Sequence, residues 1–383
     1  MDYRNNITRK VMYLYLPIIV LFALIRMLSA FGVFAFMGNT AEYVFSLIIQ
    51  VGLMFSVSLF GFALLTKNKT KQVFKFYGYR KINWKAILLA IAIGVIVYIL
   101  NVFVSTFFSA FLSIFGYSSA GGTAMREYPT WQFILNILCT AILPAICEET
   151  AHRGLLLKGL SPMGQKRAII ISSIMFGLLH LNIDQFGYAT LIGFLLGYIS
   201  TICESIYPAM IIHFMNNFLS VFMGFSSYHK LGPEVVFSYL NKWLQNNTVL
   251  AVLFMLVLSV LFFFLLKYLV KLLFKVTTVK RVNQLQNEIL KELTKEAYLK
   301  DAQAVAEGKE IDPTDQTHTI PFEKFDEMYK KHNSKMGYTS EIDEKILAEQ
   351  GDFKLNKITK VMLITGMVIV SIITLFTFIW GIL

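Results

Sequence analysis

Nine long apolar runs divide the chain, most of them close to twenty residues: 11–36, 43–65, 86–115, 131–157, 168–181, 186–203, 208–225, 249–266 and 361–383. About 20 apolar residues in helical form cross the hydrocarbon core of a bilayer. No water is present there to satisfy an unpaired backbone group, so helix is the form such runs must take. The alternating segments of roughly 10 residues that build a membrane β-barrel are absent from the pattern. Charged residues make up 15% of the chain, where a soluble domain carries about 25%. The expected fold is therefore an all-α polytopic membrane protein. The fifth to seventh runs are short for a full crossing, and their ends are the least defined. Residues 1–10 are polar and the first run is long, without a small-residue cleavage site, so it reads as a retained span.

The net charge of +11 does not point to nucleic acid, because the basic residues gather at the ends of the apolar runs. Arg4, Arg9 and Lys10 precede the first run. Lys67, Lys69, Lys71, Lys75, Arg80, Lys81 and Lys85 lie between the second and third. Lys158, Lys166 and Arg167 follow the fourth, and Lys267, Lys271, Lys275, Lys280 and Arg281 follow the eighth. With alternating spans these loops all fall on one side, while the opposite loops hold only Arg126, Lys230 and Lys242. Basic loops stay in the cytoplasm. The expectation is a multi-pass cell-membrane protein with a cytoplasmic N-terminus and an outside C-terminus. Cys139, Cys147 and Cys203 lie in or beside apolar runs and read as small core residues, not as a disulfide framework.

Three segments follow: a transmembrane bundle over 1–274, an insert over 275–357 and a last span over 358–383. Within the insert, Leu285, Ile289 and Leu293 recur at helical spacing, and Pro321 opens a second helical stretch. The insert reads as a cytoplasmic helical or linker module able to dock a cytosolic partner. The bundle and the eighth span are expected to assemble without it or the last span. No internal repeat supports a transporter built of inverted halves.

Chemistry is concentrated between residues 131 and 217. Glu148 and Glu149 stand side by side in an apolar run, and Arg153 lies four residues after Glu149. Residues four apart share a helix face. Glu149–Arg153 therefore reads as a buried ion pair that leaves Glu148 facing the interior as a general base. Glu148 and His152 are also four apart. His213 and Asn217 share a face, and together could donate two hydrogen bonds to a developing oxyanion. His180 arrives from another helix to hold a water against Glu148. Intramembrane ionisable residues are functional by default. His229, His318 and His332 lie in loops or the insert and read as solvated, Arg26 as snorkelling or paired, Asn216 as a helix–helix hydrogen bond, and Gly193 with Gly197 as a close-packing face.

Glu148-Glu149-x-x-x-Arg153, Phe176-x-x-x-His180 and His213-x-x-x-Asn217, in that order on successive apolar helices, resemble the three motifs of the CPBP family. This is the CAAX-protease and bacteriocin-processing (Abi) family, which includes the type II CAAX prenyl endopeptidases. The resemblance implies an eight-helix intramembrane core with a cavity open toward the cytoplasm. It implies peptide-bond hydrolysis near the cytoplasmic membrane face. In that picture Glu148 and His180 activate water, His213 and Asn217 form the oxyanion hole, and Glu149 and Arg153 support them, with no cofactor. The substrate would be a peptide or protein, lipidated or not. The family pattern usually has apolar or aromatic residues after the glutamate pair, where this chain has Thr150, Ala151 and His152. Zinc takes three or four such ligands, so Glu148, His180 and His213, with His152, leave a metalloenzyme open. Two further readings stand beside these: a catalytically silent scaffold or regulator of the same fold, and a transporter whose buried charges carry protons.

Overall fold

A computed structural model describes residues 2–34, 36, 40–118, 128–232, 235, 239, 242, 247–279, 340–347, 349 and 353–380. Eight helices among the described residues are long and apolar enough to cross a membrane. They are α1 (Tyr3–Ala30), α2 (Ala41–Thr66), α4 (Trp84–Ile114), α5 (Thr130–Met163), α7 (Ile183–Ile202), α8 (Tyr207–His229), α9 (Val249–Thr278) and α11 (Lys357–Trp380). The short helices α3 (Thr70–Tyr77), α6 (Gln165–Leu178) and α10 (Glu341–Leu347) complete the described set. The protein is an all-α polytopic membrane protein, with no strand among the described residues.

One of the nine expected spans departs from the rest. The fifth run forms α6, which has 14 residues, about 21 Å of helix against a core of about 30 Å. It starts beside Lys166 and Arg167 and stops inside the bundle. The turn that follows contains Leu181 in the left-handed region, at φ +50°. Non-helical backbone at that depth is tolerated where it is buried in protein or lines a cavity.

The helix ends sort into two groups by contact. At the basic end, the Thr8 hydroxyl donates to the Gly159 carbonyl at 2.9 Å. There Arg80 pairs with Glu204 at 2.9 Å, the Ile206 amide donates to the Gly78 carbonyl at 2.8 Å, and the Asn83 amide donates to the Val276 carbonyl at 3.1 Å. At the other end, Tyr43 donates to Asn136 at 3.0 Å, Tyr117 donates to Asp184 at 2.9 Å, and His229 Nε2 lies 2.8 Å from the Tyr128 carbonyl.

Small residues permit the close approaches. A Cβ on Gly154 would lie 2.7 Å from the Tyr77 ring, and one on Gly193 would lie 3.1 Å from the Ser173 backbone. Gly193 and Gly197 do seat α7 against α6 and α5. Cys139, Cys147 and Cys203 are free and buried.

The expected amphipathic helix over 282–307 and the stretch from Pro321 lie outside the described residues. The end of the insert is described and sits at the basic end of the bundle. Glu349 accepts from the backbone amides of Tyr3 and Arg4, Ile342 is buried, and the Asn356 amide donates to Asn5 at 3.1 Å. The last span packs against the bundle. Leu363 and Val370 join the core of α1 and α2, and the Thr377 hydroxyl accepts from the Ile183 amide at 3.0 Å. Deleting 280–339 with a short linker should leave the bundle folded, whereas truncation before Lys357 should lower its thermal stability in detergent. Equal melting of the full-length and truncated chains would remove α11 from the core.

Candidate active site

Glu149 is the buried centre of the motif region. Its side chain has 0% exposure and that of Arg153 has 2%. Arg153 Nη1 approaches Glu149 Oε1 to 3.1 Å, near enough for an ion pair but off the hydrogen-bonding axis, since Nη1 makes no hydrogen bond. The guanidinium gains two other partners: Nη2 donates to the Gly193 carbonyl at 3.2 Å, and Cζ lies 4.5 Å above the Phe176 ring. The expected Glu149–Arg153 pair is present, and it is shared with a third group. His213 Nδ1 lies 2.9 Å from the same Glu149 oxygen.

Glu148 points elsewhere, as adjacent helix residues must. Its side chain is 20% exposed, and its Oε2 lies 4.0 Å from His213 Nε2. Gln50 Nε2 donates to its Oε1 at 2.8 Å. His213 thus stands between the two glutamates, with one ring nitrogen toward each. A carboxylate can only accept, so the bond to Glu149 puts a proton on Nδ1. Nε2 then donates to a ligand only in the imidazolium form, with Glu149 as counter-charge.

His180 is fixed in the same way. Its Nδ1 is 3.0 Å from the Phe176 carbonyl, which can only accept. In the neutral ring Nε2 is left as an acceptor. Phe176 separates the histidines, its ring edge-on to His152, His180 and His213 at 5.1, 5.3 and 5.6 Å between centroids.

Asn217 Nδ2 donates to the Thr140 carbonyl at 3.0 Å. Its oxygen accepts from Asn216 at 3.1 Å, and Asn216 in turn accepts from Asn101 of α4 at 3.2 Å. The helix–helix bond expected of Asn216 is therefore there, and it also orients Asn217. A carboxamide has two N–H donors, so one of Asn217's remains for a ligand.

His152 and Glu148 bond to different helices. The chain widens to i→i+5 hydrogen bonds over Thr150–Leu157, and His152 Nδ1 pairs with the Tyr15 hydroxyl of α1 at 3.0 Å.

These groups border one cavity of about 440 Å³. Its lining includes Glu148, His152, His180, His213, Asn216 and Asn217, but not Glu149 or Arg153. The four expected catalytic side chains come from α5 (Glu148), α8 (His213 and Asn217) and the turn after α6 (His180). Gln50, Tyr15 and Asn101 were not expected. Gln50 and Asn101 are each the one carboxamide in a long apolar run, which is the signal that marks them, while Tyr15 shares its run with Tyr13 and is not set apart. Arg26 lines the cavity near the end of α1 and has no ion-pair partner among the described residues.

For zinc the donor set does not close. Among the described residues no three His, Cys, Asp or Glu side chains form a cluster able to hold a metal ion.

Residues 130–219 match the family model described as type II CAAX prenyl endopeptidase Rce1-like. The chain carries a CAAX-protease-type region. Every motif residue and the whole of α6 and α7 fall within it, which supports a CAAX-type intramembrane protease family at the general level. No curated protein and no solved structure matches the chain.

The lining of this region also bears on access. Its exposed members are Arg26, Glu42, Thr140 and Ser220. Thr140 lies 18 residues before Lys158, about 27 Å along the helix, and Arg26 lies about 33 Å beyond Arg4. All four lie toward the helix ends remote from the basic loops.

Proposed function

We propose that the chain is a membrane-embedded endopeptidase. The observation that carries this is the convergence of Glu148, His180, His213 and Asn217 on one cavity, within the region similar to an endopeptidase family. A volume of 440 Å³ lies within the ordinary range of ligand pockets, about 300–1,000 Å³. It takes a short peptide segment together with a water.

Water donates one hydrogen bond to Glu148 and another to His180 Nε2. Its oxygen attacks the scissile carbonyl carbon as its proton passes to Glu148. The carbonyl oxygen becomes an oxyanion, held by the free N–H of Asn217 and by Nε2–H of the His213 imidazolium. Collapse breaks the C–N bond, and Glu148 returns the proton to the leaving nitrogen. Gln50 and Glu149 act through others, as positioning residues for Glu148 and His213. No step is routed through a metal. Turnover that survives a zinc chelator is the expected result, and its loss with recovery on added zinc favours the metalloenzyme.

The substrate is a peptide or protein whose scissile bond reaches the depth of Glu148, about 15 Å from Lys158 along the helix. A lipid anchor on the substrate would hold a bond at that level. The insert is assigned to the cytoplasm by the basic residues on both of its flanks.

The test is a comparison of released and membrane-bound peptides in cells carrying the wild type or Glu148→Ala, followed by cleavage of the differing peptide with purified protein. Identical peptide profiles would favour a silent scaffold. Asn217→Ala should lower kcat more than it raises KM, because an oxyanion donor acts mainly in the transition state. A change in KM alone reassigns Asn217 to substrate positioning.

A further inference from the structure

His152 borders the cavity beside Glu148, His180 and His213, yet the hydrolytic steps give it no part. Its ring is clamped on two sides. Tyr15 of α1 meets it edge-on at 5.8 Å between centroids, and Phe176 of α6 does so at 5.1 Å. The widened turns over Thr150–Leu157 carry it, and such turns recur at functional sites. Among the described residues it makes one hydrogen bond, from Nδ1 to the Tyr15 hydroxyl at 3.0 Å. Tyr15 is itself wholly enclosed, at 0% exposure, and this is its hydroxyl's one hydrogen bond among the described residues. That enclosure decides which group donates. If Nδ1 donated, the phenol proton would be left without an acceptor in apolar surroundings, and a buried donor left unpaired is costly. The phenol therefore donates and Nδ1 accepts. The ring is neutral and carries its proton on Nε2. Nε2 has no hydrogen-bond partner among the described residues, and the open side of the ring is the cavity.

We infer that His152 is a substrate-binding residue, whose Nε2–H donates a hydrogen bond to a peptide carbonyl other than the one attacked. This rests on the endopeptidase reading for the word substrate, but the donor itself does not. The role is distinct from those of the other imidazoles. His213 and Asn217 face the oxyanion, and His180 Nε2 is an acceptor. Phe176 is the common neighbour of His152 and His213. The new donor and the oxyanion donors therefore lie on two sides of one ring, a distance that two or three residues of extended chain cover at roughly 3.3 Å each. A carbonyl can accept there only if it is not already paired within a helix. The substrate class is thus a peptide segment in extended form at this point, recognised through its backbone and not through a side chain.

The chain has six histidines, so isotope labelling of histidine ring nitrogens gives a spectrum simple enough to read on the full-length protein in detergent. The His152 signal is the one lost in His152→Gln. The expected result is a neutral ring protonated at Nε2, with that preference lost in Tyr15→Phe; a proton on Nδ1 overturns the inference. Capped tri-alanine, which offers backbone carbonyls and no side-chain chemistry, is then added to the Glu148→Gln protein. A saturable shift of the His152 Nε2–H signal is expected, and its absence overturns the inference. Kinetics supply the second measurement, on the peptide that differs between wild-type and Glu148→Ala cells. His152→Phe alone strands the Tyr15 hydroxyl and endangers folding. Tyr15→Phe combined with His152→Phe removes both partners and keeps their shapes, a change that is close to neutral for stability. That double variant should raise KM about fivefold, the size of one neutral hydrogen bond, with kcat little altered. Unaltered KM overturns the role of His152 and leaves the endopeptidase standing. A tri-alanine shift in a protein that cleaves no peptide removes the endopeptidase and keeps the peptide-binding donor.

Discussion

Glu148→Gln is expected to abolish peptide cleavage while leaving the protein folded and inserted. The amide oxygen can still accept the Gln50 hydrogen bond, now made at 2.8 Å, so the side chain keeps its place. It can no longer take a proton from water. General acid–base groups contribute at least about 100-fold, and a loss of that size or greater is expected in single-turnover cleavage by the purified protein. Extraction and melting in detergent should match wild type. Cleavage at close to the wild-type rate would take the base role away from Glu148. Because Gln50 serves only through Glu148, Gln50→Leu should produce a smaller loss and shift the pH profile of kcat; a loss without any such shift makes it merely structural.

Arg153→Ala is expected to give the largest loss of stability in the chain. Glu149 is wholly enclosed, and one of its oxygens already has no hydrogen-bond partner. Without the guanidinium it retains only His213 at 2.9 Å. The Gly193 carbonyl would lose its donor, and the Phe176 ring would lose the cation above it. Stripping one partner from a buried ion pair costs about 3–5 kcal/mol, enough to make extraction from the membrane inefficient. Arg153→Lys should recover part of this. A lysine restores the charge, but not the fork that reaches Glu149 and Gly193 together. A melting temperature equal to wild type in Arg153→Ala would show that the pair contributes nothing. Loss of activity at wild-type stability would move Arg153 from support to direct action on substrate.

The membrane class, eight of the nine spans and the motif residues were legible in the sequence because each is a local signal. A run of 20 apolar residues, two glutamates in such a run and a partner four residues on can all be seen without knowing any neighbour. What escaped depended on neighbours. Gln50, Tyr15 and Asn101 are polar residues on helices far from the motifs in sequence, and only folding brings them to Glu148, His152 and Asn216. His152 was assigned to the face of Glu148 on the geometry of a regular helix. The widened turns over Thr150–Leu157 give it to α1 instead. The double attachment of His213 was hidden for a similar reason: spacing within α8 says nothing of what α5 presents to either ring nitrogen. The shape of the cavity was the least legible property, since it depends on which parts of seven helices leave space between them.

The tip that carries His180 has a consequence for timing. The turn after α6 is held in part by α11: Thr374 donates to the Leu178 carbonyl at 3.4 Å, and Thr377 accepts from the Ile183 amide at 3.0 Å. Thr374 and Thr377 come well after Glu148, His213 and Asn217 in the chain. Those three side chains are therefore synthesised before the clamp on His180 exists, and the turn that carries His180 is held from this side only once α11 has inserted.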